Sequence, residues 1–159
     1  MSDILIECAR PEDVPAILEL LKLVNMHYIP SEEMPDLDYR YYFVARDRGR
    51  VVGASGYKIL SATRGKTQLM VVHPDYRRRG IGLKLQERRL QAMAEQGVRT
   101  VVTNADLPAT IAWYKKHFGY REVGTLKKVH EFGDPNVDHW TTLEMDMDEW
   151  LKRTGGGER

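Results

Sequence analysis

The chain has 159 residues, of which 42% are hydrophobic and 30% are charged, and its formal net charge is +1. This length supports one domain with a sizeable core and leaves little room for a second. The near-neutral charge gives no overall field that would attract nucleic acid or an anionic membrane, so neither is expected as a partner.

The N-terminal segment lacks the features of a signal peptide, and no stretch reaches the roughly 20 apolar residues of a membrane span. The single cysteine, Cys8, cannot form an internal disulfide and is expected to be a small buried residue of the first strand. We therefore expect a cytoplasmic protein.

Strands are predicted where aromatic and β-branched residues cluster between turn residues, and helices where apolar residues recur every three or four positions. Asp13 is the expected N-cap of a first helix, which carries Pro15 in its first turn and reaches about His27. Residues 63–66 and 104–108 are expected to be loops, and residues 28–38 a loop or short helix. The predicted strands are 4–9, 39–46, 51–60, 67–72, 98–103, 121–132 and 140–147, with further helices at 80–96 and 108–118.

The resulting order, β-α-β-β-β-α-β-α-β-β, predicts a single α/β domain with a mixed central sheet flanked by helices. The strands at 67–72 and 98–103 are expected to be parallel, with the helix between them as the crossover. The domain is expected to span residues 1–152, and the polar, glycine-rich residues 153–159 a flexible tail.

The stretch from 69 to 85 combines an apolar strand, a basic loop and two glycines that open a helix. Amides in the first turn of a helix have no intrahelical partner, and the helix dipole favours negative charge there. Gly80 and Gly82 would let a phosphate approach the backbone, and three consecutive arginines follow Tyr76. The stretch therefore predicts an anion site, although the usual nucleotide loops GxxxxGK[ST] and GxGxxG are absent from the sequence.

The residues VVHPDYRRRGIG at 71–82, followed by a helix, resemble the acetyl-CoA-binding loop of the GNAT acetyltransferase superfamily. The family pattern there is [QR]-x-x-G-x-[GA] after a V-x-P strand end. The residues WYKKHFGY at 113–120 are similar to a second family motif, a helix that carries a tyrosine and ends in glycine and an aromatic residue. The resemblance implies a GNAT-like N-acetyltransferase that moves an acetyl group from acetyl-CoA to a primary amine.

The resemblance also implies roles for individual residues. The backbone of Met70, Val71 and Val72 would pair with the pantetheine arm of acetyl-CoA. Tyr114 would be the general acid that protonates the departing thiolate, which suits a hydroxyl that is protonated at neutral pH. Asn104 would be a polar contact to the cofactor or acceptor. The backbone amides from Arg78 through Leu83 would hold the pyrophosphate. The cofactor-binding residues expected in the loop and helix start are Arg77, Arg78, Arg79, Gly80, Ile81, Gly82 and Leu83.

The general base stays open, because each candidate is more typical of a solvated surface group. The candidates are Glu32, Glu33, Glu144 and His139. The five histidines show no metal-ligand spacing, so no metal site is predicted. The acceptor is expected to be a small-molecule or peptide amine, and a homodimer is a common outcome in the family.

Two other functions are considered. Many family members carry an asparagine at the position of Leu107, and some carry a glutamate near the strand end where this chain has Val101 and Val102. The fold could therefore act as a CoA-binding sensor or interaction module without transfer. RNA binding through residues 77–79, with Arg88 and Arg89 near, is disfavoured by the near-zero net charge and the lack of an RNA-binding motif.

Overall fold

A computed structural model describes residues 4–24, 37–128 and 136–153. In these residues seven strands form one mixed sheet in the order β1-β2-β3-β4-β5-β7-β6, which confirms the predicted α/β class. None of the described helices is both long and apolar enough to cross a membrane. In chain order the elements are β1 Ile4–Cys8, α1 Val14–Leu23, β2 Tyr42–Asp47, β3 Arg50–Ile59, β4 Arg64–Val72, α2 Ile81–Glu95, β5 Thr100–Ala105, α3 Pro108–Phe118, β6 Arg121–Lys127, β7 His139–Asp146 and α4 Met147–Arg153.

The chain divides into two compact units, and the first consists of Met1–Lys58 and Gln68–Ala92. In this unit β1, β2 and β3 pair antiparallel as neighbours, with a shift in the β2–β3 register between Ala45 and Arg46. Helix α1 buries one face against these strands, since apolar residues at helical spacing remove one stripe of the helix from water. Its core contains Ile17, Leu20, Leu21, Tyr42, Val44, Ala54 and Val71.

The second unit consists of Ile59–Thr67 and Met93–Arg159. The start of β4 runs parallel to β5, from the pair Arg64–Thr100 to the pair Lys66–Val102, which confirms the predicted parallel pairing. Strand β7 is antiparallel to both of its neighbours, β5 and β6. Val101, Leu143 and Met145 are buried in this unit.

Strand β6 is the last strand in the sheet order, and all seven of its residues are exposed. Its register against β7 shifts between Glu122 and Gly124. Val123 and Leu126 are among the exposed large hydrophobic residues.

Asp13 lies at the start of α1, as predicted, but its carboxylate does not cap that helix. It accepts hydrogen bonds from the Arg10 amide at 2.8 Å and from Arg46 Nη1 and Nη2 at 2.9 and 2.7 Å. Arg46 also donates from Nε to Glu7 at 2.9 Å. The bonds from Arg46 lower the pKa of Asp13 despite its burial, and Asp13 in turn raises the pKa of Arg46. The buried pair joins the start of α1 to strand β2.

Two predicted boundaries in the first unit were wrong. Helix α1 ends at Leu23 rather than near His27, because Val24 leaves the helical conformation and its amide bonds to the Leu21 carbonyl. The predicted strand at 39–46 begins with a 3-10 turn at Tyr39–Tyr41, which Asp38 caps by accepting from the Arg40 amide at 3.1 Å. Cys8, expected to be buried, is exposed.

In the second unit the predicted turn at 63–66 is mostly strand, since Arg64–Val72 is β4. Gly65 serves close packing rather than a turn, because an added Cβ would lie 2.7 Å from Met93 Sδ. The predicted loop at 104–108 begins two residues later, because Asn104 and Ala105 pair with β7. Most of the predicted loop at 28–38 and the end of the predicted strand 121–132 lie outside the described residues.

Helix α4 was not predicted. It begins directly after β7, where the Asp146 carboxylate accepts a hydrogen bond from the Glu149 amide at 3.1 Å. This is the bond of an N-cap residue. Arg153, which the prediction assigned to the tail, is the last residue of the helix.

Candidate active site

The predicted anion loop is fixed at its start by the end of β4. The His73 amide donates to the Val52 carbonyl of β3 at 2.8 Å, so the chain leaves the sheet at a defined point. A 3-10 turn at Pro74–Tyr76 follows, and the His73 ring accepts from the Asp75 amide at 3.1 Å. Just before this point Val71 is buried, while Met70 and Val72 are half-buried.

The loop backbone contains two left-handed residues separated by one position. Arg78 has a φ of 65° and Gly80 a φ of 74°. Left-handed residues within such a turn direct successive amides towards one concavity, which is the backbone form of many anion sites. A Cβ added at Gly80 would meet nothing within 4 Å, so the backbone is open to a close approach there.

Helix α2 begins immediately after the loop. The carbonyl of Gly80 accepts from the Lys84 amide at 3.1 Å, which is the first bond of the helical ladder. The amides of Ile81, Gly82 and Leu83 therefore precede the first intrahelical donor. The 15-residue helix adds the positive end of its dipole at the same place.

The arginines of the loop are exposed, and one of them is held by an aromatic ring. The guanidinium of Arg79 lies 4.8 Å from the centroid of the Tyr76 ring. The Tyr76 hydroxyl donates to Asp47 Oδ2 at 2.5 Å, and this bond raises the pKa of Tyr76. The loop is thus tied to the end of β2, while Arg77 and Arg78 extend into solvent.

These features fit a pyrophosphate. They combine unused helix amides, a left-handed backbone turn with open space at Gly80 and exposed guanidinium groups. The predicted cofactor residues from Met70 to Leu83 all lie in the first unit, where β4, the loop and α2 bring them together.

Tyr114 lies in the second unit, on α3, and is buried. Its ring centroid is 5.0 Å from that of Trp113 and 5.0 Å from that of Tyr120. Gly119, with a φ of 69°, ends the helix, and its amide donates to the Lys115 carbonyl at 3.2 Å. The left-handed turn at Gly119 brings the Tyr120 ring into contact with the Tyr114 ring. This contact explains why glycine is followed by an aromatic residue in the motif.

Asn104 also lies in the second unit, within β5. Its Oδ1 accepts from the Thr142 hydroxyl at 2.7 Å, across the pair that the two residues form in the β5–β7 ladder. The amide oxygen is therefore engaged by a neighbouring side chain of the sheet.

The candidate bases have different surroundings. Glu144 accepts from Arg64 at 3.1 Å and from Arg121 at 3.3 Å, so its carboxylate is ion-paired. His139 is exposed, and its Nδ1 lies 3.2 Å from Asp138 Oδ1, which lowers the pKa of Asp138. Glu32 and Glu33 lie outside the described residues.

The second unit also contains a cavity of about 480 Å³ beside α3. Neither Tyr114 nor Asn104 lines it. The lining residues are Asp106, Pro108, Ile111, Ala112, Lys115, Glu122, Val137, His139 and Thr141.

Two polar residues of α2 were missed as buried groups. Gln86 and Arg89 are both 0% exposed, whereas the RNA-binding alternative places Arg89 near a basic surface. The missed signal is their spacing, since positions 86, 89 and 93 recur at the helical period and Met93 is in the core. Arg88 is half-buried, with its guanidinium 4.6 Å from the centroid of the Phe43 ring.

Residues 14–120 match the model of the Acetyltransferase (GNAT) family. The chain belongs to the GNAT acetyltransferase family. The matched segment contains both predicted motifs and extends over more than half of the sequence. This GNAT protein is accordingly an acetyl-CoA-dependent N-acetyltransferase, with acetyl-CoA as its co-substrate.

Solved structures confirm the GNAT fold at low sequence identity. Ard1 from Thermoplasma volcanium is 20% identical with a TM-score of 0.74, over 90% of this chain and 97% of that one. The ribosomal-protein-S18-alanine N-acetyltransferase from Escherichia coli is 18% identical with a TM-score of 0.73, over 91% and 94%. YncA of Salmonella typhimurium, whose structure contains acetyl-CoA, is 20% identical with a TM-score of 0.70, over 92% and 95%. No curated protein sequence matches the chain significantly.

Proposed function

We propose that this GNAT enzyme transfers the acetyl group directly to a primary amine, with Tyr114 as the general acid. The observation that supports the proposal most strongly is the state of Tyr114, which is buried at the motif position with its ring in edge contact with those of Trp113 and Tyr120. A buried ring with two aromatic neighbours has few rotamers available, and proton transfer requires a hydroxyl within about 3 Å of its target.

The proposal assigns the pyrophosphate to Arg77, Arg78 and Arg79 and to the backbone of residues 80–83. Open space at Gly80 and the amides that precede the α2 ladder support this assignment. Met70, Val71 and Val72 would pair with the pantetheine arm, since they follow the part of β4 that forms the ladder with β5. Asn104 would contact the cofactor or acceptor through its amide nitrogen, because its oxygen accepts from Thr142.

Acetyl-CoA supplies the thioester, and the residues of this chain would orient it and transfer protons to and from the reacting atoms. The neutral amine forms a new C–N bond at the carbonyl carbon, and the C–S bond breaks with its electron pair on sulfur. The Tyr114 hydroxyl gives its proton to that sulfur, while a base or a water relay removes a proton from the nitrogen. No covalent intermediate on the enzyme is required.

We further propose a single catalytic domain over residues 1–152 and retain the cytoplasmic location and the homodimer as predictions.

The test compares Tyr114→Phe with Tyr120→Phe, which also removes a buried phenol hydroxyl from the same aromatic cluster. Free thiol is followed with acetyl-CoA and a panel of amines that includes amino acids, lysine peptides and peptide N-termini. We expect kcat to fall about 100-fold in Tyr114→Phe, the lower range for general acid catalysis, with little change in KM for acetyl-CoA. Tyr120→Phe should retain most of the wild-type kcat.

An unchanged kcat in Tyr114→Phe would show that Tyr114 is not the acid. An equal loss in both variants would show that the cluster acts only through packing. If acetyl-CoA raises the melting temperature but no amine is acetylated, the non-catalytic CoA-binding module becomes the better description of the protein.

A further inference from the structure

Arg89 is a charged residue in the core of the first unit, with none of its surface exposed. A buried charge is strongly unfavourable unless hydrogen bonds compensate for the lost water. Leucine at such a helical position would pack without this penalty. An arginine in the core therefore calls for a role, and its hydrogen-bond partners indicate which one.

The guanidinium is bonded to the backbone of two strands. Nη1 donates to the carbonyl of Gly56 in β3 at 2.9 Å, and it lies 3.4 Å from the carbonyls of Gln68 and Leu69 in β4. Nε donates to Gln86 Oε1 at 2.6 Å, which orients the guanidinium from the preceding turn of α2.

Two neighbouring residues of β3 also fix the position of α2 against this strand. Gly56 has no room for a side chain, because an added Cβ would collide with the Tyr42 ring. On the same helix, the Leu85 carbonyl accepts from the buried hydroxyl of Ser55 at 3.2 Å. Polar bonds therefore join α2 to two adjacent residues of β3 as well as to β4.

We propose that Arg89 is a positioning residue for the acetyl-CoA-binding end of β4. Gln68 and Leu69 directly precede Met70, the first of the three residues assigned to the pantetheine arm, and this inference rests on that proposed role. By holding the two carbonyls, Arg89 fixes the direction in which the next amides and carbonyls point. It acts through the strand and does not touch the substrate.

Arginine suits this task better than lysine. Its planar group carries five donors in a fixed fork, so one side chain bonds the glutamine and the strand carbonyls at the same time. A lysine ammonium is a point charge on a flexible stem. Arg89→Lys should therefore preserve the charge but only part of the positioning.

The main test uses the double variant Gln86→Leu/Arg89→Leu, because removing both side chains leaves neither the glutamine nor the guanidinium buried without the other. Leu90→Ala serves as the control, since it removes buried volume one position away without changing these bonds. For each protein we would measure the melting temperature, the acetyl-CoA dissociation constant, kcat, both KM values and amide hydrogen exchange at residues 70–72.

We expect the double variant to bind acetyl-CoA about tenfold more weakly and to raise its KM similarly. The KM for the amine should remain within twofold, and amides 70–72 should exchange faster. Arg89→Lys should have an acetyl-CoA dissociation constant between those of the wild type and the double variant. Leu90→Ala should lower the melting temperature without this loss of affinity.

Wild-type acetyl-CoA affinity in the double variant would overturn the inference. So would a loss of affinity in Leu90→Ala as large as in the double variant, because stability alone would then explain it. If the double variant does not fold, the comparison of Arg89→Lys with Leu90→Ala decides in the same way. A wild-type protein in which acetyl-CoA leaves the exchange at 70–72 unchanged would instead refute the proposed pantetheine contact.

Discussion

Replacing Asp13 by asparagine tests whether the buried ion pair holds α1 on the sheet. The substitution keeps the size of the side chain but removes the charge that faces Arg46. Asp13 accepts three hydrogen bonds of 2.7 to 2.9 Å, and the side chains of Asp13 and Arg46 are only 7% and 10% exposed. Removing one partner of a buried pair costs about 3–5 kcal/mol. Because Glu7 still accepts from Arg46, we expect the lower end, about 3 kcal/mol.

Urea unfolding and thermal unfolding measure this loss. For a domain of this size, 3 kcal/mol corresponds to a decrease of roughly 10 °C in Tm. Asp38→Asn is the matched control, because Asp38 also binds the guanidinium of one arginine through two bonds, at 3.0 and 2.7 Å from Arg40, but this pair is more exposed. Exposed pairs are screened by water, so the control should lose much less stability.

The pH dependence gives a second check. Arg46 holds the pKa of Asp13 below its ordinary value of 3.8. A carboxyl group with a lowered pKa in the folded state contributes stability above its unfolded pKa and loses it as the pH falls through the folded value. The difference between wild type and Asp13→Asn should therefore be constant near neutrality and shrink below about pH 4. An Asp13→Asn variant no less stable than Asp38→Asn, or a difference that grows in acid, would refute the reasoning.

Three further predictions concern single positions. Gly119→Ala should lower the free energy of unfolding, measured in urea, by about 1–2 kcal/mol. The reason is that Gly119 is left-handed and that an added Cβ would lie 2.5 Å from Arg153 Nη1. The control Gly124→Ala should lose nothing, because an added Cβ there would meet no atom within 4 Å. Arg78→Gly should change the free energy of unfolding by no more than about 1 kcal/mol, because relief of the left-handed strain at Arg78 offsets the greater flexibility of glycine in the unfolded chain. The same variant should raise the KM for acetyl-CoA. A loss of stability without a change in KM would contradict this prediction. Cys8 should react with a thiol reagent in the folded protein nearly as fast as in urea, and protection until unfolding would contradict its exposure.

The elements that sequence periodicity predicts well are those whose stability is mainly local. Helices α2 and α3 begin and end within one residue of the prediction, because glycine or proline marks their ends and apolar residues follow the helical period. The position of the loop between β4 and α2 was also predicted, since its glycines and arginines are consecutive in the chain, and its binding of an anion stays a prediction. The left-handed conformation of Arg78 was not predicted, because residues other than glycine rarely adopt it.

The errors occur where a distant residue decides the local structure. Gly65 looks like a turn residue until Met93 packs against it, and Asn104 looks like a loop residue until β7 pairs with it. Asp13 is the N-cap residue of α1, as predicted, but its carboxylate does not cap the helix because Arg46, 33 positions later, binds it. Arg89 is the extreme case, since a charge on a helix suggests exposure to solvent, whereas the carbonyls of β3 and β4 that accept from it in the core are distant in sequence.

The exposed strand β6 has a consequence for the behaviour of the protein in concentrated solution. A strand at the edge of a sheet with exposed Val123 and Leu126 is a template on which other chains can add as further strands and aggregate. The register shift between Glu122 and Gly124 interrupts that template, and the charged ends Arg121 and Lys127 flank it. Straightening the strand by deleting one residue at the shift would therefore favour precipitation even if the fold survived.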